Sequence, residues 1–268
     1  HWTNRDLFSL TALPESLLVL GGGAVGVEMA QAFQRLGCSV TLVQRGPHIL
    51  SREDAELADV VAQRLLAEGV DVQVGAAVRS VGRAGGEVEV VVEQDGGVQS
   101  LHADRLLVAL GRRANVDGLG LADIGVEHDE RGVTVDQRLR TSQGHIFAAG
   151  DVTGAHQSTH AAGYEGSVVI ANTVFRLPRK ADYTWMPRCI YTEPELAGMG
   201  LTPADAEAAG LEHRVFSEPF SANDRALAED EPAGMVKLVL DGKGRPLGVH
   251  LCRSEEHTSE LQSLLIIS

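Results

Sequence analysis

Three features of the 268-residue sequence predict an α/β fold built on a parallel sheet. Residues 17–20, Leu-Leu-Val-Leu, are an apolar run that ends in Gly21-Gly22-Gly23-Ala24-Val25-Gly26 and leads into a helical stretch reaching about Leu36. Residues 39–44, Ser-Val-Thr-Leu-Val-Gln, supply a second strand, which completes a β-α-β unit. Residues 105–110 form a third apolar run, placed to return to the same sheet after an intervening hairpin region.

Taken in chain order, a short polar-capped segment at residues 3–10 precedes Pro14, which punctuates the approach to the first strand. The glycine turn has the form of a dinucleotide-binding turn. Without a Cβ, Gly21 can make the tight bend, Gly23 lets a pyrophosphate approach the backbone, and Gly26 lets the helix pack closely on the strand. The free N–H groups at Ala24 and Val25, at the positive end of the helix dipole, then face the phosphates. Residues 53–68 have helical periodicity and stop at Gly69. Residues 70–74, 77–81, 87–93 and 98–101 read as short strands. Gly85-Gly86 and Asp95-Gly96-Gly97 are the hairpin turns of an inserted antiparallel meander. Residues 111–140 are loop-rich, 146–149 read as a buried strand, and 156–177 as a long helix stopped by Pro178. From Pro187 to Leu251 the character changes to strand, helix (203–209) and strand-turn-strand (235–251), suggesting a second domain that begins near Ala181.

The end of the second strand bears on which nucleotide the turn accepts. Sites that prefer NAD usually carry an Asp or Glu there for the ribose 2′-hydroxyl. This chain has Gln44 followed by Arg45. A carboxylate repels a 2′-phosphate, whereas an arginine fork binds it through charge-assisted hydrogen bonds of roughly 1.5–3 kcal/mol, about a 10- to 100-fold preference. The expectation is therefore NADPH over NADH, the alternative being that Arg45 is only a solvated loop charge. Arg52 offers a second contact, unless Glu53 and Asp54 beside it hold it in a surface pair.

Composition bounds the rest. An apolar content of 44% is ordinary for a globular protein, and a net charge of −14 without a basic cluster argues against nucleic acid and anionic membranes as partners. No apolar run approaches the length needed to span a bilayer, no signal peptide is visible, and a cytoplasmic location is expected. Cys38, Cys189 and Cys252 are far apart and form no C-x-x-C or C-x₄-C pair, hence no local redox centre. His156 and His160 have i, i+4 spacing, but no third ligand is evident; they read as groups at a helix N-terminus, with no metal site expected. Asp151, following Gly150 at the end of an apolar run, can accept hydrogen bonds from a polyol hydroxyl or serve as a turn or N-cap aspartate.

Four segments in order, residues 21–28, 109–115 (Ala-Leu-Gly-Arg-Arg-Ala-Asn), 146–151 (Ile-Phe-Ala-Ala-Gly-Asp) and 191–197 (Tyr-Thr-Glu-Pro-Glu-Leu-Ala), carry a family resemblance. The chain resembles the class I pyridine nucleotide-disulfide oxidoreductases, the flavoprotein family of glutathione reductase, dihydrolipoamide dehydrogenase and mercuric reductase. Ala114 stands where most members carry proline. The resemblance implies a Rossmann-like NAD(P)-binding domain (14–110) inserted in a partial FAD-binding domain, of which 1–13 is a linker and 111–180 the second segment. An incomplete α+β dimerisation domain (181–252) follows, and a homodimer is implied. The implied cofactors are FAD and NADPH, with Gly21, Gly23, Ala24, Val25, Gly26, Gln44, Arg45, Arg52, Gly111, Gly150, Asp151 and Thr159 as cofactor-binding candidates. Asp151 falls where the family binds the FAD ribityl chain. Thr159 falls where a helix amide end meets the flavin pyrimidine, an end that favours negative charge by roughly 0.3–1 kcal/mol. Glu28 is the catalytic candidate, an acid near nicotinamide and flavin that the family pairs with a lysine; otherwise it is a solvated first-turn acid.

In the family, hydride passes from NADPH to flavin and on to a cysteine pair that reduces a small-molecule, disulfide or metal-ion substrate, with a histidine near the C-terminus managing the proton. Neither the cysteine pair nor that histidine is recognisable in this sequence. Gln44-Arg45, residues 51–54 and residues 220–226 are similar to the mercuric reductase branch. Dihydrolipoamide dehydrogenase is the alternative, and a non-catalytic NADPH-binding module a third reading. From about Arg253 the sequence departs from the family strand and resembles the translation of a sequencing adapter. Residues 253–268, His257 included, are therefore expected to be foreign, although Leu261, Leu264 and Leu265 also fit an amphipathic tail.

Overall fold

The computed structural model describes residues 1–228, 230 and 232–253. The chain divides into two compact units, residues 1–111 with 187 onward, and residues 112–186.

In the first unit, β1 (Ser16–Leu20), β2 (Ser39–Val43), β3 (Asp71–Gln73) and β7 (Arg105–Val108) form a parallel sheet in the order β3-β2-β1-β7. The central strand β1 buries Leu17, Leu18, Val19 and Leu20, each contributing about 1.5–3 kcal/mol through apolar burial. Helices α1 (Ala24–Arg35) and α2 (Ala55–Ala67) bury Val27, Ala30 and Phe33, and Leu57, Val61 and Leu65, in one core with β1 and β2. At the free edge of the sheet, Trp2 bridges to β7, so the expected linker at residues 1–13 also supplies a strand partner. The meander is β4 (Ala77–Ala84), β5 (Glu87–Gln94) and β6 (Gly97–Ala103). Alternation in β5 puts Val88, Val90 and Val92 into a second core with Leu18, Leu20 and Leu106. Both hairpins turn on two residues with positive φ, Gly85-Gly86 and Asp95-Gly96, as the right-handed strand twist requires.

The same unit carries an antiparallel sheet of β10 (Arg188–Ile190), β11 (Glu195–Gly200), β12 (His213–Pro219), β13 (Met235–Asp241) and β14 (Pro246–Arg253), ordered β10-β11-β14-β13-β12. Helix α4 (Pro203–Ala208) is closed by a capping box between Thr202 and Asp205, and α5 (Asp224–Ala228) follows β12. Helix α2 packs against β11 and β14, and Ile190, Leu196 and Cys252 join the core of the parallel sheet. Where α2 begins, the junction is polar. Lys237 of β13 bonds Asp54 Oδ1 at 2.9 Å and Glu56 Oε2 at 2.5 Å, while Arg188 of β10 bonds Glu53 at 3.4 Å. Asp54 also accepts from the Leu57 amide, so one carboxylate caps the helix and pairs the buried lysine. β14 runs through Arg253, which pairs with Glu195; the remaining tail, His257 included, lies outside the described residues.

The second unit holds a two-stranded ribbon, β8 (His128–Asp129) and β9 (Gly132–Val133), whose Val133 joins a small core with Ala114, Val116 and Val126, and helix α3 (Thr159–Thr173), which packs against the 3₁₀ turn at Gly150–Thr153. Two expectations are corrected here. Residues 146–149 are not a buried strand: Phe147 makes one bridge, to Arg140, and the segment is half-buried, because an apolar run becomes a strand only where neighbouring backbone completes its ladder. The helix expected over 156–177 begins three residues later, since Ser158 is extended, and ends at Thr173, with Arg176 at positive φ.

Candidate functional site

The glycine turn is built as its spacing demands. Gly21 has φ +108, its amide donates to the Val43 carbonyl at 2.9 Å, and a methyl there would be driven into the Ala109 carbonyl. A Cβ on Gly26 would enter the Gly21 carbonyl. These two glycines serve close packing. Gly23 differs: it caps α1 from an extended φ of −82, is exposed, and a Cβ on it would meet nothing within 4 Å. No side chain caps α1, so the amide end at Ala24 and Val25 stays available to an anion.

Gln44 has a role that the sequence did not show. Its Oε1 accepts from the Gly22 amide at 3.0 Å, bracing the turn from the end of β2. Arg45 and Arg52 are exposed, and neither side chain makes an ion pair among the described residues. The carboxylates expected to compete for Arg52 are engaged elsewhere, Glu53 with Arg188 and Asp54 with Lys237.

Helix α1 also carries a row of polar contacts to residues 191–194. Glu28 Oε1 accepts from the Tyr191 amide at 3.0 Å. One turn on, the buried Gln31 both accepts from the Glu193 amide and donates to its carbonyl, each at 2.8 Å. Arg35 lies 4.0 Å from the Glu193 carboxylate. The catalytic candidate Glu28 is thus oriented by the Tyr-Thr-Glu-Pro segment, with Gln31 as the missed partner. None of the three cysteines is set up as a thiolate. Burial, with Asp104, pushes the Cys38 thiol up to about 11; burial, with Glu195 and Glu28, pushes Cys189 to about 12; burial alone takes Cys252 to about 12.

Gly111 closes the first unit at φ +144, exposed. In the second unit, Gly150 (φ +80) opens a single 3₁₀ turn containing Asp151. The Asp151 carboxylate, 60% exposed, lies 4.0 Å from Arg112, whose guanidinium donates to the Gln157 carbonyl. Thr159 is the first residue of α3, whose cap residue Ser158 makes no side-chain capping bond, so a second amide end is open next to an acid and an arginine. The Gly150 amide donates to Glu165, which is wholly buried and was not anticipated. His156 stacks on Tyr183 at 3.9 Å and His160 contacts Ser158; no metal-ligand cluster occurs among the described residues. No helix among them is long and apolar enough to cross a membrane.

The pyridine nucleotide-disulphide oxidoreductase family model matches residues 1–166, and the dimerisation-domain model of that family matches residues 186–265. The second match runs across most of the tail that the sequence reading set apart. Among curated relatives, a dihydrolipoyl dehydrogenase of Rhizobium etli is 37% identical over 258 residues, 95% of this chain and 53% of its own length. A mercuric reductase of Streptomyces lividans is 38% identical over 253 residues, 94% of this chain and 53% of its own. The chain therefore spans about half the length of the curated relatives it matches. Among solved structures, the HOCl-induced flavoprotein disulfide reductase of Escherichia coli superimposes with a TM-score of 0.87 at 29% identity, over 99% of this chain and 61% of that one. With its glycine turn, its Gly150-Asp151 turn and its five-stranded sheet all inside those matches, the chain belongs to the pyridine nucleotide-disulphide oxidoreductase family.

Proposed function

We propose that the chain is the pyridine-nucleotide-binding part, with a portion of the flavin-binding region, of an FAD-dependent NADPH oxidoreductase of mercuric reductase-like type. The observation that carries this reading is the open space over Gly23 at an uncapped helix N-terminus, with two exposed arginines following β2, Arg45 and Arg52, that make no ion pair among the described residues. The residues fit the group. Ala24 and Val25 present amides to a diphosphate, and Arg45 and Arg52 offer forks to a 2′-phosphate. Gly21, Gly26 and Gln44 hold the turn in shape. Glu28 is the nicotinamide-side acid, and Tyr191 fixes its carboxylate.

FAD, when bound, supplies a two-electron acceptor that passes reducing equivalents to a disulfide. Asp151 would hold its polyol, the amide end at Thr159 would favour negative charge on it, and Gly150 shapes the turn that carries Asp151. The division into residues 14–110, 111–180 and 181–252 follows the same reading. So does a homodimer formed through the five-stranded sheet, which the dimerisation-domain match supports. The substrate is a metal ion or a small disulfide, the location is cytoplasmic, and nucleic acid is not a partner of a chain with net charge −14.

A dihydrolipoamide dehydrogenase using NADH is the second reading, favoured by relatives of that name at nearly equal identity. Coding sequence on both sides of this segment in the source DNA tests the proposal. A glycine turn with a C-x₄-C pair upstream, and a histidine with a nearby acid downstream, is the expected result. An open reading frame that closes on both sides without a cysteine pair would leave nucleotide binding alone.

A further inference from the structure

Helix α3 contains one Asp, Glu, Lys or Arg, Glu165, and it is wholly buried. A carboxylate is kept inside a protein only where donors replace its water, and here there are two. Glu165 Oε2 accepts from the Gly150 amide at 2.5 Å, and Oε1 accepts from the Tyr183 hydroxyl at 2.7 Å. Gly150 is the residue before Asp151, and at φ +80 its amide direction is not one that an ordinary L-residue adopts freely.

The donors are themselves held. Tyr183 is stacked on His156 at 3.9 Å and meets Tyr164 edge-on at 5.9 Å, and the Tyr164 hydroxyl accepts from the Asp182 amide. Burial, then the bond to Glu165, pushes the Tyr183 phenol above its ordinary range, so it remains a donor at neutral pH. On the outer side, Arg112 spans from Asp151 to the Gln157 carbonyl, just ahead of α3. Glu165 sits on the same helix whose amide end opens at Thr159. One carboxylate therefore fixes the Asp151 turn at a set distance from that amide end.

We propose that Glu165 is a positioning residue for the flavin, acting through Gly150 to register Asp151 against the N-terminus of α3, with Tyr183 as its second anchor. The inference rests on the reading of Asp151 and Thr159 as FAD contacts. It makes the geometry of those contacts depend on a side chain that does not touch the flavin.

The test compares Glu165→Gln, Asp151→Ala, the double variant and Tyr183→Phe in the flavin-loaded protein. It measures FAD affinity by flavin fluorescence titration and the exchange rate of the Gly150 amide. Glu165→Gln is expected to weaken FAD binding about tenfold or more, because glutamine offers one neutral acceptor oxygen where two donors each need their own, and to speed Gly150 exchange. Its effect and that of Asp151→Ala are expected to be less than additive, because one acts through the other; a merely structural role gives additive losses. Tyr183→Phe, which keeps the ring stack on His156, is expected to show a smaller loss in the same direction and carries the test should Glu165→Gln not fold. Affinity within about threefold of the parent in a folded Tyr183→Phe or Glu165→Gln protein, or fully additive losses, overturns the proposal. If the parent protein takes up no FAD, the flavin reading itself falls; protection of the Gly150 amide still reports whether Glu165 anchors the turn.

Discussion

Replacing Arg45 with glutamate tests the coenzyme assignment, and the structure sets its size. Arg45 is exposed and has no ion pair among the described residues to give up, so its full charge is free for a ligand. A charge-assisted bond to a 2′-phosphate contributes about 1.5–3 kcal/mol. A carboxylate in the same place adds repulsion of about 1 kcal/mol at 4 Å in water. Arg45→Glu should then shift the NADPH-to-NADH affinity ratio by about 2.5–4 kcal/mol, from roughly 60- to 900-fold. Dissociation constants for both coenzymes, measured on parent and variant by isothermal titration, give the ratio. The parent's preference should also narrow with added salt, as the screening length falls from about 10 Å at 0.1 M to about 3 Å at 1 M. A ratio that moves less than about threefold would remove Arg45 from the site, and the same measurement on Arg52→Glu would then decide whether Arg52 carries the phosphate.

Other outcomes follow from the same contacts. Gly23→Ala should leave the urea midpoint nearly unchanged, since the methyl enters open space, yet weaken NADPH binding at least about tenfold; unchanged affinity would place the diphosphate elsewhere. Asp54→Ala should cost about 3–5 kcal/mol in urea unfolding, because it uncaps α2 and leaves buried Lys237 with only exposed Glu56, whereas Lys237→Met should cost less. Burial alone would lower the Lys237 pKa, but its bonds to Glu56 and Asp54 together carry it above the ordinary 10.5. The pair's stabilisation should therefore be intact at neutral pH and be lost as pH rises beyond that value, while a loss setting in below pH 9 would contradict the pairing. Buried Cys38 and Cys252 and half-buried Cys189, their thiols all pushed up, should react with a thiol reagent slowly at neutral pH and rapidly after denaturation.

Residues whose role is local were legible in the sequence. Gly21 and Gly26 declare themselves because a bend and a tight packing contact each exclude a Cβ, whereas Gly23 is marked only by its place in the turn, with open space above it. Val88, Val90 and Val92 declare a half-buried strand by alternation. Residues 146–149 misled because apolar content alone does not supply a hydrogen-bonding neighbour. Gln31, Lys237 and Glu165 were missed because each is a polar side chain buried by a partner distant in sequence, at Glu193, Asp54 and Gly150, and periodicity has no term for such pairs. One signal was present for Glu165, a lone acid in an otherwise uncharged helix. Gln44 was weighed only as a ligand contact, although a side chain at the end of β2 is equally placed to brace the turn beside it.

On the proposed reading, the open end of α1 receives NADPH, whose hydride goes to FAD. Anaerobic mixing of the flavin-loaded protein with NADPH, followed at the oxidised-flavin absorbance band, tests it most directly. Rapid bleaching with NADPH, slower with NADH and suppressed in Gly23→Ala, is the predicted result. A flavin band that persists with both coenzymes, or that bleaches equally fast in Gly23→Ala, would contradict it.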